Sequence, residues 1–324
     1  MPYLELKNLQ PDPPLSGRPR LVVIVGATAV GKTELSIQLA SMLAGEIVSA
    51  DSRLFYRGMD IGTAKPTPAE RMEVPHHLID VANPDEVWSV AQFQQNAHRV
   101  IEQILQRDRL PFLVGGTGQY IQAITQGWQI PHVTPNPYLR SALEQWAIEV
   151  TPTGLHERLS CLDPEAAKAI DARNVRRTIR ALEVIISTGE HFSTQRKRIL
   201  SPYNILTLGL TRSRQELYTR VDQRLALMIK NGFIEEVAQL LRAGYTTKLP
   251  SMSAIGYLEI AMYLQGEISQ EEAIRLIKRR TRKFIRRQAN WFKLNDPNIH
   301  WFQVGEDTLD DLYQEIIKWQ SIPD

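Results

Sequence analysis

Apolar and polar positions along this chain fall into blocks with two different rhythms. Residues 20–26, RLVVIVG, are an unbroken β-branched run closed by glycine, which predicts a strand buried on both faces. Residues 33–43 place Leu35, Ile37, Leu39, Met42 and Leu43 at helical spacing. GEIVSADS (45–52) predicts a second strand running out at Asp51. WSVAQFQQNAHRVIEQILQRD (88–108) predicts a helix, and RLPFLVGGTG (109–118) a third strand ending in glycines. Strand and helix in alternation predict an α/β fold, a parallel sheet with helices on both faces. Ligands of such sheets collect at the carboxyl ends of the strands, so Gly26, Asp51 and Gly115 are expected to meet in one crevice.

The rhythm changes near Trp128. QIPHVTPNP (129–137) reads as a proline-rich linker, helical stretches follow at 139–150, 154–159 and 175–186, and no strand returns until YNILTLGL (203–210). Residues 128–202 are therefore expected to form a helical insertion domain within a discontinuous α/β core, 1–127 and 203–324. From residue 216 onward the chain reads as helical, with 217–244 one stretch ending at a glycine stop, Gly244.

Composition adds exclusions. Hydrophobic and charged contents of 43% and 23% are those of a globular chain, and no apolar run is long enough for a membrane span. Residues 1–20 resemble neither a secretory signal nor a transit peptide and are expected to form a loose arm. The single cysteine, Cys161, excludes a disulfide framework and a Cys-based zinc site, and suits a reducing, cytoplasmic setting. Net charge of +2 hides an asymmetry: residues 275–293 carry nine basic residues and no acidic one. Smaller clusters occur at Arg173, Arg176, Arg177 and Arg180, and at Arg196, Lys197 and Arg198. Such clusters suit a surface facing a polyanion, and equally a set of solvated helix faces. In the basic segment, Ile274, Ile277, Phe284, Ile285 and Gln288 are expected to pack inward. Arg275, Arg279, Arg282 and Arg286 line another face.

The candidate chemistry centres on Gly26, Ala27, Thr28, Ala29, Val30, Gly31, Lys32 and Thr33, which satisfy G-x-x-x-x-G-K-[ST] between a predicted strand and helix. Glycines let backbone N–H groups turn inward around phosphate oxygens, Lys32 adds a point charge, and the Thr33 hydroxyl commonly holds Mg²⁺. Asp51 ends the strand expected beside this cradle. A carboxylate there repels phosphate, and is left to hold a metal, accept a proton or cap a turn. Arg220 and Arg224, four apart on one predicted helix, suit a diphosphate clamp or ion pairs with Asp222 or Glu216. His76 and His77 lack further ligands at metal spacing and read as packing or local hydrogen bonding. Trp291, Phe292, Trp301 and Phe302 read as core. These features alone leave a small-molecule kinase using ATP open beside other group transfers.

Taken in order, GATAVGKT, SADSRLFYRGMDIGTAKP, VPHHLID, LVGGTGQY, RNVRRTIRALEV, RVDQRLALM, GFIEEV, SAIGY and TRKFIRRQANWF resemble the tRNA dimethylallyltransferase family of the bacterial type, over residues 22–302. The resemblance implies a P-loop NTPase-like sheet whose nucleotide-binding type of loop holds dimethylallyl diphosphate, with Mg²⁺ on Thr33. It implies alkyl transfer to the exocyclic amine of the adenosine immediately 3′ of a tRNA anticodon. Asp51 would be the general base, and Lys32, Thr33 and Arg224 would stabilise the departing diphosphate. The anticodon stem-loop would be touched by Asp51, Ser52, Arg53, Leu54, Thr117 and Arg140, and by Arg176, Arg177 and Arg180. Further contacts would come from Ser253, Ala254, Ile255, Gly256 and Tyr257, and from Thr281, Arg282, Lys283, Arg286, Arg287 and Gln288. A cytoplasmic monomer is implied. Ala27 and Val30 depart from the family's usual Pro and Ser, Gln119 from its Leu, and Leu258 stands where a basic residue is frequent. An adenylate isopentenyltransferase acting on free AMP, and an RNA-binding regulator without activity, are the rival readings.

Overall fold

The β-branched run of residues 20–26 forms the middle of a six-stranded sheet in the computed structural model, which describes residues 17–131, 133–195 and 200–322. The loose arm expected before residue 17 and the cluster Arg196, Lys197 and Arg198 lie outside the described residues. Strands β1 (Arg20–Gly26), β2 (Gly45–Ser49), β3 (His76–His77), β4 (Leu110–Gly115), β5 (Asn204–Thr211) and β6 (His300–Gln303) are ordered β3-β2-β4-β1-β5-β6. All neighbours pair in parallel. The α/β expectation holds. One detail is corrected: β4 lies between β2 and β1, so Asp51 follows a strand two places from the cradle strand. Register still aligns the carboxyl ends, with Val25 opposite Gly115, Ser49 opposite Val114 and Gly26 opposite Leu210.

Along the chain the helices are α1 (Lys32–Met42), α2 (Pro68–Glu73), α3 (Val90–Leu105), α4 (Gly118–Thr125), α5 (Pro137–Glu149), α6 (Thr151–Leu162) and α7 (Pro164–Ala169). They continue with α8 (Val175–Thr188), α9 (Phe192–Gln195), α10 (Arg214–Lys230), α11 (Phe233–Arg242), α12 (Tyr257–Leu264), α13 (Gln270–Gln288) and α14 (Thr308–Gln320). Leu21, Val23 and Val25 pack with Phe93, Ile101 and Ile104 of α3 and Ile121 of α4. Val22 and Ile24 belong to the core shared with Ile37 and Leu39 of α1, Val221 of α10 and Leu312 of α14. Burial on both faces is why β1 shows no alternation. Met59, Leu225, Phe233, Tyr257 and Ile277 form a further cluster.

Three features differ from the expectation. Strands β3 and β6 are short and carry polar ends, so they give no periodic signal. The stretch 217–244 is broken at Gly232, whose φ of 98° is a left-handed conformation that favours glycine and ends α10 before α11 begins. Phe284 is 39% exposed and leaves the inner stripe of α13, whereas Ile277, Ile285 and Gln288 are buried.

Among the described residues, those up to Thr125 and from Ser201 onward form one compact unit, and those between Gln126 and Leu200 another. The second unit is all helical among its described residues, closed around Leu143, Leu155, Leu159, Ile179 and Leu182. Within it Glu183 is fully buried and accepts from Arg140 (2.9 and 2.8 Å), Arg180 (2.6 Å) and the Asn136 N–H. Desolvation opposes its ionisation, but those hydrogen bonds hold its carboxyl below the usual range.

Candidate active site

The loop from Gly26 to Thr33 turns its carbonyls outward onto cations. Lys32 Nζ donates to the carbonyls of Gly26 (3.0 Å) and Ala27 (2.9 Å), Arg220 Nε to that of Ala29 (2.8 Å) and Arg212 Nε to that of Val30 (3.0 Å). The amides of Thr28 and Val30 are used by Gln288 Oε1 (2.9 Å) and the Ala27 carbonyl (3.3 Å), and the first amides of α1, which have no partner within the helix, suit an anion at its N-terminus. Gly26 is required by close approach, because a Cβ there would sit 2.6 Å from the Leu210 carbonyl oxygen of β5. Ala29 and Gly31 take positive φ of 67° and 117°. Val30, the departure from serine, is fully buried in the core, so this position needs an apolar side chain here.

Asp51 stands two residues past β2, at the same end of the sheet. Its Oδ1 accepts from the Arg53 N–H at 2.9 Å, and its carbonyl accepts from the Leu54 N–H at 3.2 Å, a local turn that fixes the carboxylate. Ser52 N–H donates to Thr117 Oγ1 at 3.2 Å, tying this turn to the end of β4. Asp51 and Arg224 both act on Lys32: desolvation lowers its amine to about 8, Asp51 opposes that shift, and Arg224 adds to it. Desolvation also lowers Arg224, with Asp51 opposing and Arg220 reinforcing. Lys32 and Arg224 thus both lie within electrostatic reach of Asp51, and Arg220 within reach of Arg224, leaving an excess of positive charge suited to a diphosphate. Ion pairs of Arg220 or Arg224 with Asp222 or Glu216 are absent among the described residues: Asp222 is held by Arg282 (2.9 Å) and Lys278 (3.4 Å), and Glu216 by Arg212 and Ser213.

Arg224 Nη2 donates to the Thr63 carbonyl at 3.3 Å, and that loop is clamped by a buried acid. Glu236 of α11, 9% exposed, accepts from the N–H groups of Asp60 (2.8 Å), Ile61 (2.7 Å) and Gly62 (3.1 Å) and from the Tyr257 hydroxyl (2.7 Å). Burial first, then the Glu236 charge, pushes the Tyr257 hydroxyl far above its ordinary range, so it stays a donor. Lys65 Nζ donates to the Tyr56 carbonyl and pairs with Asp60 and Asp80. The sequence shows Glu236 only as part of GFIEEV, and its burial is not legible there because a glutamate on an amphipathic helix reads as solvent-facing. Glu236→Ala leaves three N–H groups without an acceptor and is expected to cost about 3 kcal/mol, measurable by urea unfolding.

The residues expected to touch RNA divide into two sets. Arg140 and Arg180 are committed to Glu183, Arg282 to Asp222, and Arg53 to the Pro250 carbonyl (3.1 Å) and Ser253 Oγ (3.4 Å). Ala254, Gly256, Tyr257 and Gln288 are buried, and half-buried Thr281 spends its Oγ1 hydrogen on the Ile277 carbonyl. Tyr257 and Gln288 therefore act on the interior of the fold and present no surface for contact. Arg176, Arg177, Ser253, Arg279, Lys283, Arg286 and Arg287 are exposed, while Ser52, Leu54, Thr117 and Ile255 are half-buried. On α13 the open cations Arg279, Lys283 and Arg287 follow at intervals of four, hence on one face. This replaces the expected row through Arg282, because Arg280 is drawn to buried Glu259 and Arg282 to Asp222.

His76 Nδ1 bonds the Val74 carbonyl, and His77 Nε2 the Glu46 carboxylate, so both histidines are held by local hydrogen bonds. Phe292 is buried, and Trp291 and Trp301 pack against the same core. No group of three or more His, Cys, Asp or Glu among the described residues could hold a metal by itself. The oxygen donors at the cradle are the exposed Thr33 hydroxyl and the Asp51 carboxylate. Such hard donors fit Mg²⁺ in the company of substrate phosphate oxygens.

A family model described as IPP transferase matches residues 54–295, beginning just past Asp51. The chain is 54% identical to a tRNA dimethylallyltransferase of Herpetosiphon aurantiacus over 276 residues, 85% of this chain and 88% of that one. A full-length tRNA isopentenylpyrophosphate transferase structure from Bacillus halodurans aligns at a TM-score of 0.69 with 43% identity, covering 92% of this chain and 96% of that one. A eukaryotic dimethylallyltransferase solved acting on tRNA aligns at 0.80 with 27% identity, over 94% of this chain and 79% of the other. Matched over most of its length in sequence, and built around a carboxylate that faces a glycine-loop cradle, the chain belongs to the IPP transferase family.

Proposed function

We propose that this chain transfers a dimethylallyl group from dimethylallyl diphosphate to the exocyclic amine of the adenosine immediately 3′ of a tRNA anticodon. The observation that carries the reading is one carboxylate, Asp51, within electrostatic reach of Lys32 and Arg224 beside a glycine-rich loop whose Ala29 carbonyl is held by Arg220. The allylic C–O bond breaks, the N–C bond forms, the amine proton passes to Asp51, and diphosphate leaves. The amides at the start of α1, Lys32 and Arg224 stabilise the charge that gathers on it. Thr33 would hold Mg²⁺, which when bound supplies further neutralisation of the diphosphate oxygens. An adenine in an anticodon loop must leave its stack to reach this crevice, as bases do wherever chemistry is done on them. The names of the relatives support tRNA as acceptor. Anticodon selection, a monomeric state and a cytoplasmic setting belong to the same proposal. No helix among the described residues is long and apolar enough to cross a membrane.

Labelled dimethylallyl diphosphate and unmodified tRNA, followed by mass spectrometry of the nucleosides, test the reading directly. Prenylated adenosine is expected; phosphate transfer from ATP with no label entering tRNA, or prenylation of free AMP in preference to tRNA, would overturn it. Replacing Arg279, Lys283 and Arg287 by glutamine is expected to weaken tRNA binding and lower the salt slope by about one for each phosphate no longer neutralised. Arg280→Gln and Arg282→Gln should act mainly on stability.

Lys32 gives the site a pH signature. Its folded-state value of about 8 lies below the 10.5 of a free lysine, so the folded chain binds fewer protons between those values. Stability of the protein without substrate should therefore rise with pH across that window. Diphosphate binding, which needs the charged amine, should weaken as pH rises through 8, by up to about tenfold per unit. Pyrophosphate titrations from pH 7 to 9.5 check this, and Lys32→Met should lose that component.

A further inference from the structure

We propose that Gln288 is a positioning residue that couples RNA held on the exposed face of α13 to the grip of the glycine loop on diphosphate, an inference that rests on the function proposed above. Gln288 is the last residue of α13 and only 4% exposed. Its Oε1 accepts from the Thr28 N–H at 2.9 Å, and its Nε2 donates to the Gly116 carbonyl at 3.1 Å. One side-chain amide thus joins the cradle, the end of β4 and the terminus of the basic helix.

The bridge needs a donor and an acceptor on the same planar group. Leucine offers neither, ionised glutamate has no donor for Gly116, and asparagine is one methylene short. Gly116 is matched to it from the other side, because a Cβ there would lie 2.4 Å from Gln288 Nε2. The buried amide, the loop N–H and the absent methyl make up one fitted contact. Half-satisfied, such a buried network costs more than an apolar one.

Thr28 lies within the glycine loop proposed to hold phosphate, and its N–H is given to Gln288, so the bridge fixes the loop's course and with it the direction of the neighbouring amides. The exposed cations Lys283, Arg286 and Arg287 lie in the final turns of the same helix. Upstream, Arg280 and Arg282 anchor the helix to Glu259 and Asp222. A polyanion that draws on Lys283, Arg286 and Arg287 acts on Gln288 beyond those anchors, and through it on Thr28. Coupling of this kind is reciprocal: whatever factor RNA adds to diphosphate affinity, diphosphate must add to RNA affinity.

The experiment measures inorganic pyrophosphate affinity with and without saturating unmodified tRNA, for the wild type, Gln288→Leu and Gly116→Ala. For the wild type, tRNA is expected to tighten pyrophosphate binding at least about fivefold. In both variants that ratio should fall to within about twofold of one, with tRNA affinity alone changed less than about twofold. Gly116→Ala leaves Gln288 and the helix core intact, so it reads the bridge even if Gln288→Leu folds poorly. A wild-type ratio of one, or a wild-type ratio retained in Gly116→Ala, overturns the inference. Prenyl transfer assayed on the same wild-type preparation separates the two levels. Transfer without coupling defeats this inference alone; no transfer and no tRNA binding defeat the proposed function and the inference with it.

Discussion

Asp51→Ala is expected to lower kcat by about 10²- to 10⁴-fold, the range for loss of a positioned general base, while tRNA affinity stays near the wild-type value. The adenine amine is a poor nucleophile because its lone pair is conjugated into the ring, so its proton must leave as the new bond forms. The Asp51 carboxylate is held ready for this by the Arg53 N–H and lies close enough to Lys32 and Arg224 to oppose the shifts on both. Removing it also removes the one negative charge facing those cations. Pyrophosphate should therefore bind the variant at least as tightly as the wild type. The combination of slower turnover with equal or tighter product binding distinguishes a lost base from a damaged site. Wild-type turnover in the variant would remove Asp51 from the chemistry.

Arg224→Ala carries the second large effect, a fall of about 10²- to 10³-fold in kcat/KM, comparable to loss of one preorganised donor to a developing anion. Arg224 sits on α10 one helical turn from Arg220, which is turned to the Ala29 carbonyl, while Arg224 leans on the Thr63 carbonyl. That carbonyl belongs to the loop clamped by Glu236, so the guanidinium reaches the cradle from a rigid mount. Arg224→Lys should recover only part of the loss, since an ammonium lacks the planar fork. A rise in KM with kcat unchanged would assign Arg224 to ground-state binding and not to the transition state.

Much of the site is legible in the amino-acid sequence because its parts depend on local rules. The loop needs glycine at Gly26 and Gly31, a lysine and a hydroxyl at set spacing, and a strand before and a helix after. All of these fall within one short stretch of chain. An unbroken apolar run likewise marks β1, and largely apolar runs mark β4 and β5. Elements too short for periodicity, such as His76–His77 and His300–Gln303, leave no such mark, and neither does any pairing between distant residues.

Charge is the least legible property. Arg140, Arg180, Arg280 and Arg282 look in sequence like their neighbours Arg176, Arg279 and Arg287, yet the first four are tied to Glu183, Glu259 and Asp222. In the sequence Gln288 is a polar residue in an apolar stripe and an implied RNA contact, and Glu236 is only part of GFIEEV; neither reading shows the interior hydrogen bonds each one makes. The amino-acid sequence by itself determined the glycine-rich loop between strand and helix, the parallel α/β core and the presence of a basic helix, since propensity, periodicity and loop chemistry act over a few residues. Tertiary structure alone decided that β4 separates β2 from β1, which arginines remain free, and that buried Gln288 and Glu236 brace the site. Those outcomes depend on partners far apart in the chain, brought together only when burial forces each polar group to find one.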